Sequence, residues 1–146
     1  NTDNDWAITG VQLEVGEYTS STIPPFQHES YGDNLARCMR YYKHIGSAGD
    51  AYFNSGFYYN STNVKTIFRF GIPFRAAPTI DQDGGTNYFS FVRDNAADEF
   101  DDFTLDGGAT ARFASIYNDS DVSGTGGMAG GMYFGTGSRL AFDAEF

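Results

Sequence analysis

Between Val64 and Phe70 the run VKTIFRF alternates strictly, and that alternation constrains the fold more than any other feature of the chain. Val64, Thr66, Phe68 and Phe70 fall on one side; Lys65, Ile67, Arg69 and then Gly71 fall on the other. A strand turns successive side chains to opposite faces, so a period of two marks a sheet with one face buried. The pattern returns in NYFSFVR (87–93), ATARFASIY (109–117) and RLAFDAEF (139–146). In the last run Leu140, Phe142, Ala144 and Phe146 oppose Arg139, Ala141, Asp143 and Glu145, and this strand is expected to be held in the core. AYFNSGFYYN (51–60) reads as strand with turn residues Asn54, Ser55 and Gly56 in its middle. PTIDQDGG (78–85) reads as a short strand closing in a hairpin turn, and MAGGMYFG (128–135) as a strand of small residues. Residues 94–108 are expected to form an acidic loop and 118–127 a turn-rich polar loop. Short strands at this spacing predict an all-β fold, an antiparallel, jelly-roll-like β-sandwich of seven to nine strands.

Composition agrees. Among 146 residues, 14 Phe, 10 Tyr and 18 Gly favour short strands joined by tight turns. The formal net charge of -10, with nine Lys and Arg in all, argues against nucleic acid, which needs a basic footprint. It argues equally against an anionic membrane surface. No apolar run approaches the roughly 18 residues of a membrane span, so no membrane insertion is expected. Neutral glycans, cationic groups and metal ions stay compatible. A single cysteine, Cys38, excludes an internal disulfide and reads as a small buried hydrophobe.

The N-terminal part is organised differently. WAITGVQLEV (6–15) reads as a strand, strictly alternating from Val11 to Val15, with a bulge at Gly10. Residues 16–30 form a linker held extended by Pro24 and Pro25. Ser30 stands three residues before Asp33, a capping-box spacing, and predicts one short helix at 31–38 running into a strand at 39–45. Two parts are therefore expected: a strand and linker over 1–30, trailing from a preceding module, and a β-module over 31–146. The polar opening without Met suggests a piece of a longer polypeptide or a processed product.

The run ITGVQLEVG (8–16), the PPF of 24–26 and ESYGDNLARCMRYY (29–42) resemble a recurring segment of bacteriophage tail-fibre and other virion fibre proteins. There a passage of the type TPFE-R-YG-EL-CQRYY leads into a C-terminal β-module. Phe26, Tyr31, Gly32, Leu35, Cys38, Arg40, Tyr41 and Tyr42 stand at the matching positions, with Met39 where Gln is common. FGIPFRAAPTI (70–80) is similar to the strand pair F-VPMRA-PT of the same module. The resemblance covers residues 8–45 and 68–80 and implies a receptor-binding fibre-tip module, a homotrimer, with other virion proteins as neighbours and the virion surface as its location. Residues 81–138 match nothing in that family.

Several constellations are candidates for chemistry. Asp94, Asp98, Glu99, Asp101, Asp102 and Asp106 fall within thirteen residues. They read as a solvated face, or as carboxylates that accept hydrogen bonds from sugar hydroxyls or hold a cation. Asp119, Asp121 and Ser123, followed by Gly124, resemble the opening half of a Ca2+ loop, but Gly130 stands where the closing Glu belongs. Aromatic rings stack on the apolar faces of pyranoses. Tyr52, Phe57, Tyr58, Tyr59, Tyr88 and Tyr117, with Asn60, Asn87 and Asn118, are therefore candidate sugar contacts, against the plainer reading of core and subunit packing. Paired acids for glycoside cleavage are poorly placed: Asp101 and Asp102 are neighbours, and Asp143 and Glu145 lie near the chain end. His28 and His44 stand in unrelated segments, and no G-x-S-x-G elbow or phosphate loop occurs. The expected function is attachment of a virion to a host-surface glycan or protein, without catalysis. The alternatives are a purely structural head-fibre, decoration or baseplate-linked component, and a polysaccharide depolymerase.

Overall fold

The alternation of 64–70 becomes burial in the structure. A computed structural model describes residues 15–19, 21–26, 28–49, 52–94 and 96–145. The strand expected within 6–15 lies outside the described residues except for Val15. Val64, Thr66 and Phe68 are buried, as is Phe70 beyond the strand end, while Ile67 and Arg69 are exposed.

The described residues form one helix, α1 (Tyr31–Cys38), and ten strands. In chain order these are β1 (Tyr42–Ser47), β2 (Tyr52–Asn60), β3 (Asn63–Arg69), β4 (Thr79–Gln82), β5 (Phe89–Arg93), β6 (Ala96–Phe100), β7 (Thr104–Leu105), β8 (Phe113–Asn118), β9 (Ala129–Phe134) and β10 (Arg139–Asp143). They make two antiparallel sheets. The small sheet has the order β1-β10-β4; the large one runs β6-β5-β9-β2-β3-β8-β7.

The sheets close on each other as a β-sandwich through aromatic side chains. Phe142, from the middle strand of the small sheet, sits 5.1 Å by ring centroid from both Phe68 and Phe70. On the inner face of the large sheet Phe53 of β2 stacks on Phe134 of β9 at 4.2 Å, and Phe89 of β5 lies 4.8 Å from Phe103 between β6 and β7. Edge-to-face and offset contacts at these distances add to the area the rings bury. The Gln82 side chain ties the sheets at one end, donating to Phe103 O at 2.7 Å and accepting from Phe103 N at 2.9 Å.

Helix α1 starts as its cap dictates. Ser30 Oγ accepts from Asp33 N at 3.1 Å and donates to the Asp33 carboxylate at 2.7 Å. No residue of α1 is buried. Cys38 is exposed, which corrects the expectation of a buried thiol. The strand after the helix begins at Tyr42 and not at residue 39, because turn bonds from Arg40 N to Arg37 O and from Tyr41 N to Cys38 O extend the helix end.

Three other expectations change. Residues 52–60 form one continuous strand with no turn at Asn54–Gly56. Gly56 is there for closeness: a Cβ on it would lie 2.4 Å from Met132 Cε. The DQDGG stretch is not a hairpin turn, since β4 pairs with β10 while β5 pairs with β6 and β9; it carries the chain from one sheet to the other. The stretch 94–108 is not a loop but holds β6 and β7, with Asp94 taking the left-handed turn conformation (φ 36°) between β5 and β6.

On the outer side of the small sheet Arg139 grips Asp81 with two bonds of 2.7 and 2.8 Å and reaches Asp83 at 3.3 Å. The Arg139 guanidinium holds the Asp81 carboxyl below its ordinary range, outweighing the partial burial that raises it. A depressed carboxyl pKa favours the fold above the unfolded value of about 4, and the benefit disappears as pH falls through the folded value. Arg139→Gln is therefore expected to lower stability at pH 7. The gap to the parent should close on acidification below pH 4, as read by urea titrations across pH.

Candidate functional site

The outer face of the large sheet is unusual for a face turned to solvent. Ladder register sets its rows. Glu99 on β6 lies opposite Ser90 on β5, Ser90 opposite Tyr133 on β9, and Tyr133 opposite Tyr52 on β2. Their chain neighbours Phe89, Phe91, Phe100, Met132 and Phe134 are buried, so the row lies on the outer face, with Tyr52, Tyr133 and Glu99 exposed and Ser90 covered between them. At about 4.8 Å per strand it runs about 14 Å across the sheet.

Tyr52 is 62% exposed and Tyr133 38%. Their rings meet edge to face at 5.5 Å and 77°. Tyr52 lies over Gly131, where a Cβ would come within 2.5 Å of its ring, so glycine seats the ring against the backbone. The other end of the row is polar. Asn87 donates from its side chain to Glu99 at 2.7 Å and from its backbone N–H to Asp101 at 2.8 Å. Asn87 holds a positive φ of 59°, which its short amide side chain tolerates.

Farther along the same face lie Phe57, Ile67 and Phe113, all exposed. Beyond them Lys65 stands over Tyr59 at 4.6 Å and near Tyr117 at 5.5 Å, and bonds Asp106 at 2.6 Å. The Lys65 ammonium beside Asp106 holds that carboxyl below its usual range.

The predicted sugar contacts separate in space. Asn87 and Asp101 belong to the polar end of the row, and Tyr59 and Asp102 are exposed. Tyr88 is half-buried, packed where a Cβ on Gly85 would lie 2.4 Å from its ring. Tyr58 is a correction: it is fully buried, so its ring has no face to offer a ligand. Its hydroxyl donates to Asp98, which is also gripped by Arg93. Burial, and then that carboxylate, push the Tyr58 hydroxyl pKa upward. Asp98 is likewise turned inward and does not belong to an acidic surface. Asn118 is buried, donating to Asp102 O at 3.1 Å and accepting from Ser120 N and Asp121 N at 3.2 Å, which shapes the loop that follows.

Asp119, Asp121 and Ser123 are exposed. The Ser123 backbone O accepts from the Arg93 guanidinium at 2.8 Å, which ties this stretch to β5. Among the described residues no group of three or more His, Cys, Asp or Glu is set to hold a metal ion. The Asp143 carboxylate accepts from Glu145 N at 2.8 Å, a local turn at the end of β10.

Sequence reasoning missed Tyr133 and the seat at Gly131. The alternation of Met132, Tyr133 and Phe134 was the available signal, since it sets Tyr133 opposite two core residues. No protein-family model, no curated protein and no solved structure matches this chain.

Proposed function

We propose that this chain is a binding module of a virion fibre, attaching a bacteriophage to a glycan on the host surface without catalysing a reaction. The observation that carries the reading is the row across the outer face in which the exposed rings of Tyr52 and Tyr133 are continued, past the buried Ser90, by the exposed carboxylate of Glu99. Rings take the apolar faces of a sugar, and the Asn87, Glu99 and Asp101 side chains offer donors and acceptors to its hydroxyls. The net charge of -10 suits a neutral or cationic glycan. The likeness of residues 29–42 and 70–80 to fibre proteins supports the same reading, and copies on one particle would multiply a shallow contact into avidity.

The test is binding of the full chain to immobilised bacterial surface glycans. Tyr52→Ala is expected to weaken binding about tenfold, the equivalent of about 1.4 kcal/mol, and Glu99→Gln to weaken it without loss of fold. Retention of every glycan by the Tyr52→Ala/Tyr133→Ala double variant would sink the reading.

A second reading has its own observation. Phe57, Ile67 and Phe113 form an exposed apolar patch with no hydroxyl or charge of their own, which suits burial against a virion neighbour or another copy. Sedimentation separates the two: this reading expects Ile67→Ser to shift the oligomeric state and leave glycan binding as it was.

A further inference from the structure

A cleft of about 480 Å³ opens where the end of α1 and the strand β1 approach the end of β3. Leu35, Met39, Ile45, Phe68 and Phe70 give it apolar walls, and Lys43, His44 and Arg69 are its basic groups. No carboxylate is among its lining residues, although Asp and Glu outnumber Lys and Arg by 19 to 9 in the chain. Among the described residues Lys43 is the single charged side chain that is buried. Elsewhere a withdrawn cation takes a carboxylate: Lys65 has Asp106, Arg93 has Asp98 and Arg139 has Asp81. Lys43 forms no ion pair among the described residues. Its ammonium donates to Ile72 O and stands 5.0 Å from the ring centroids of Phe70 and Phe74.

An ammonium carries three donors, and one carbonyl with two ring faces does not neutralise its charge. Burial without an acid partner is costly, and it holds the Lys43 pKa below the usual lysine range. An anion from outside the chain would complete the site. The rest of the cleft fixes what carries that anion. Its walls are hydrocarbon and aromatic, without a side-chain amide, so the hydroxyls of a sugar would go unmatched there. Leu35 lines the cleft and is still 43% exposed, which leaves apolar surface for an apolar body to cover. Small-molecule sites have this size and this make-up, mostly apolar with a few placed polar groups. We infer that the cleft binds a small amphipathic carboxylate. The carboxylate pairs with Lys43, and the hydrocarbon lies along Leu35, Ile45 and Phe68. This site shares no residue with the row of Tyr52 and Tyr133, so the two stand or fall separately.

Decanoate, kept below its micellar concentration, is the probe, titrated into the full chain by calorimetry and followed by amide NMR. Saturable binding is expected, with shifts at the Leu35, Lys43 and Ile45 amides and none at Tyr52 or Tyr133. Decanol has the same chain without the charge and is expected to bind at least about tenfold more weakly. Lys43→Met keeps the apolar stem and removes the charge, and should bring decanoate down to the affinity of decanol. Leu35→Asp stands on a helix with no buried residue, so the fold is kept, and it sets an acid in the cleft. It should weaken decanoate about tenfold or more. Absence of saturable binding overturns the inference, as does equal affinity for decanol and decanoate, which would make Lys43 a purely structural cation. Undiminished binding in either variant overturns it too, and so do shifts confined to Tyr52 and Tyr133.

Discussion

Phe142→Ala is expected to destabilise the protein by about 3–5 kcal/mol, the range for removing a fully buried aromatic ring. Phe142 has no exposed surface and stands in β10, the strand that β1 and β4 both pair with. Its ring touches Phe68 and Phe70, the two residues through which β3 and its continuation meet the small sheet. Deleting it opens a void at the junction of the two sheets, where strands on both sides are fixed by their own ladders and cannot collapse inward. Chemical denaturation should show a lower midpoint at unchanged slope. Phe142→Leu, which keeps most of the volume, should recover more than half of the loss. A loss under about 1 kcal/mol for Phe142→Ala would contradict the packing described.

The next largest effect is expected at Asp98. Its carboxylate accepts from Tyr58 and from Arg93, and Arg93 also reaches Ser123 O at 2.8 Å. The Arg93 and Asp98 side chains are mostly withdrawn from water, and the Arg93 guanidinium lies 4.8 Å from the Tyr58 ring. Asp98→Ala leaves a buried hydroxyl and a guanidinium without their shared acceptor, so a destabilisation of about 3 kcal/mol follows. Asp98→Asn keeps an acceptor and loses the charge, and should fall between the parent and Asp98→Ala. Because Arg93 links this knot to the segment after Asn118, hydrogen exchange in residues 119–124 should quicken in Asp98→Ala. Stability within a few tenths of a kcal/mol of the parent would show that the three groups are independently satisfied.

Asp98 also marks where the sequence ceased to be readable. Six acids in one stretch look like a solvated loop because charge is the local signal. What makes Asp98 a strand residue is a partner forty positions away, Tyr58, together with Arg93 across the β5–β6 turn. The period-two runs at β3, β8 and β10 were legible because the burial pattern itself writes the period. The cap at Ser30 and Asp33 made α1 legible for a similar reason, since both halves of that signal are local. For Tyr58 and Tyr59 the sequence established that they face opposite ways, but not which one faces in. That depends on the ladder to β3, where Tyr58 lies opposite the buried Val64. The outer row needed four strands brought into register, and its members come from chain positions between 52 and 133. No local reading could align them.

Translation proceeds from one end, and this has a bearing on the small sheet. Its two flanking strands, β1 and β4, leave the ribosome long before β10, the strand that joins them. Until residues 139–143 emerge, Tyr42–Ser47 and Thr79–Gln82 are orphaned ribbons, open to improper partners. Assembly of that half of the molecule consequently waits for residues 139–143. A nascent chain stalled upstream of Arg139 would be a natural client for chaperones.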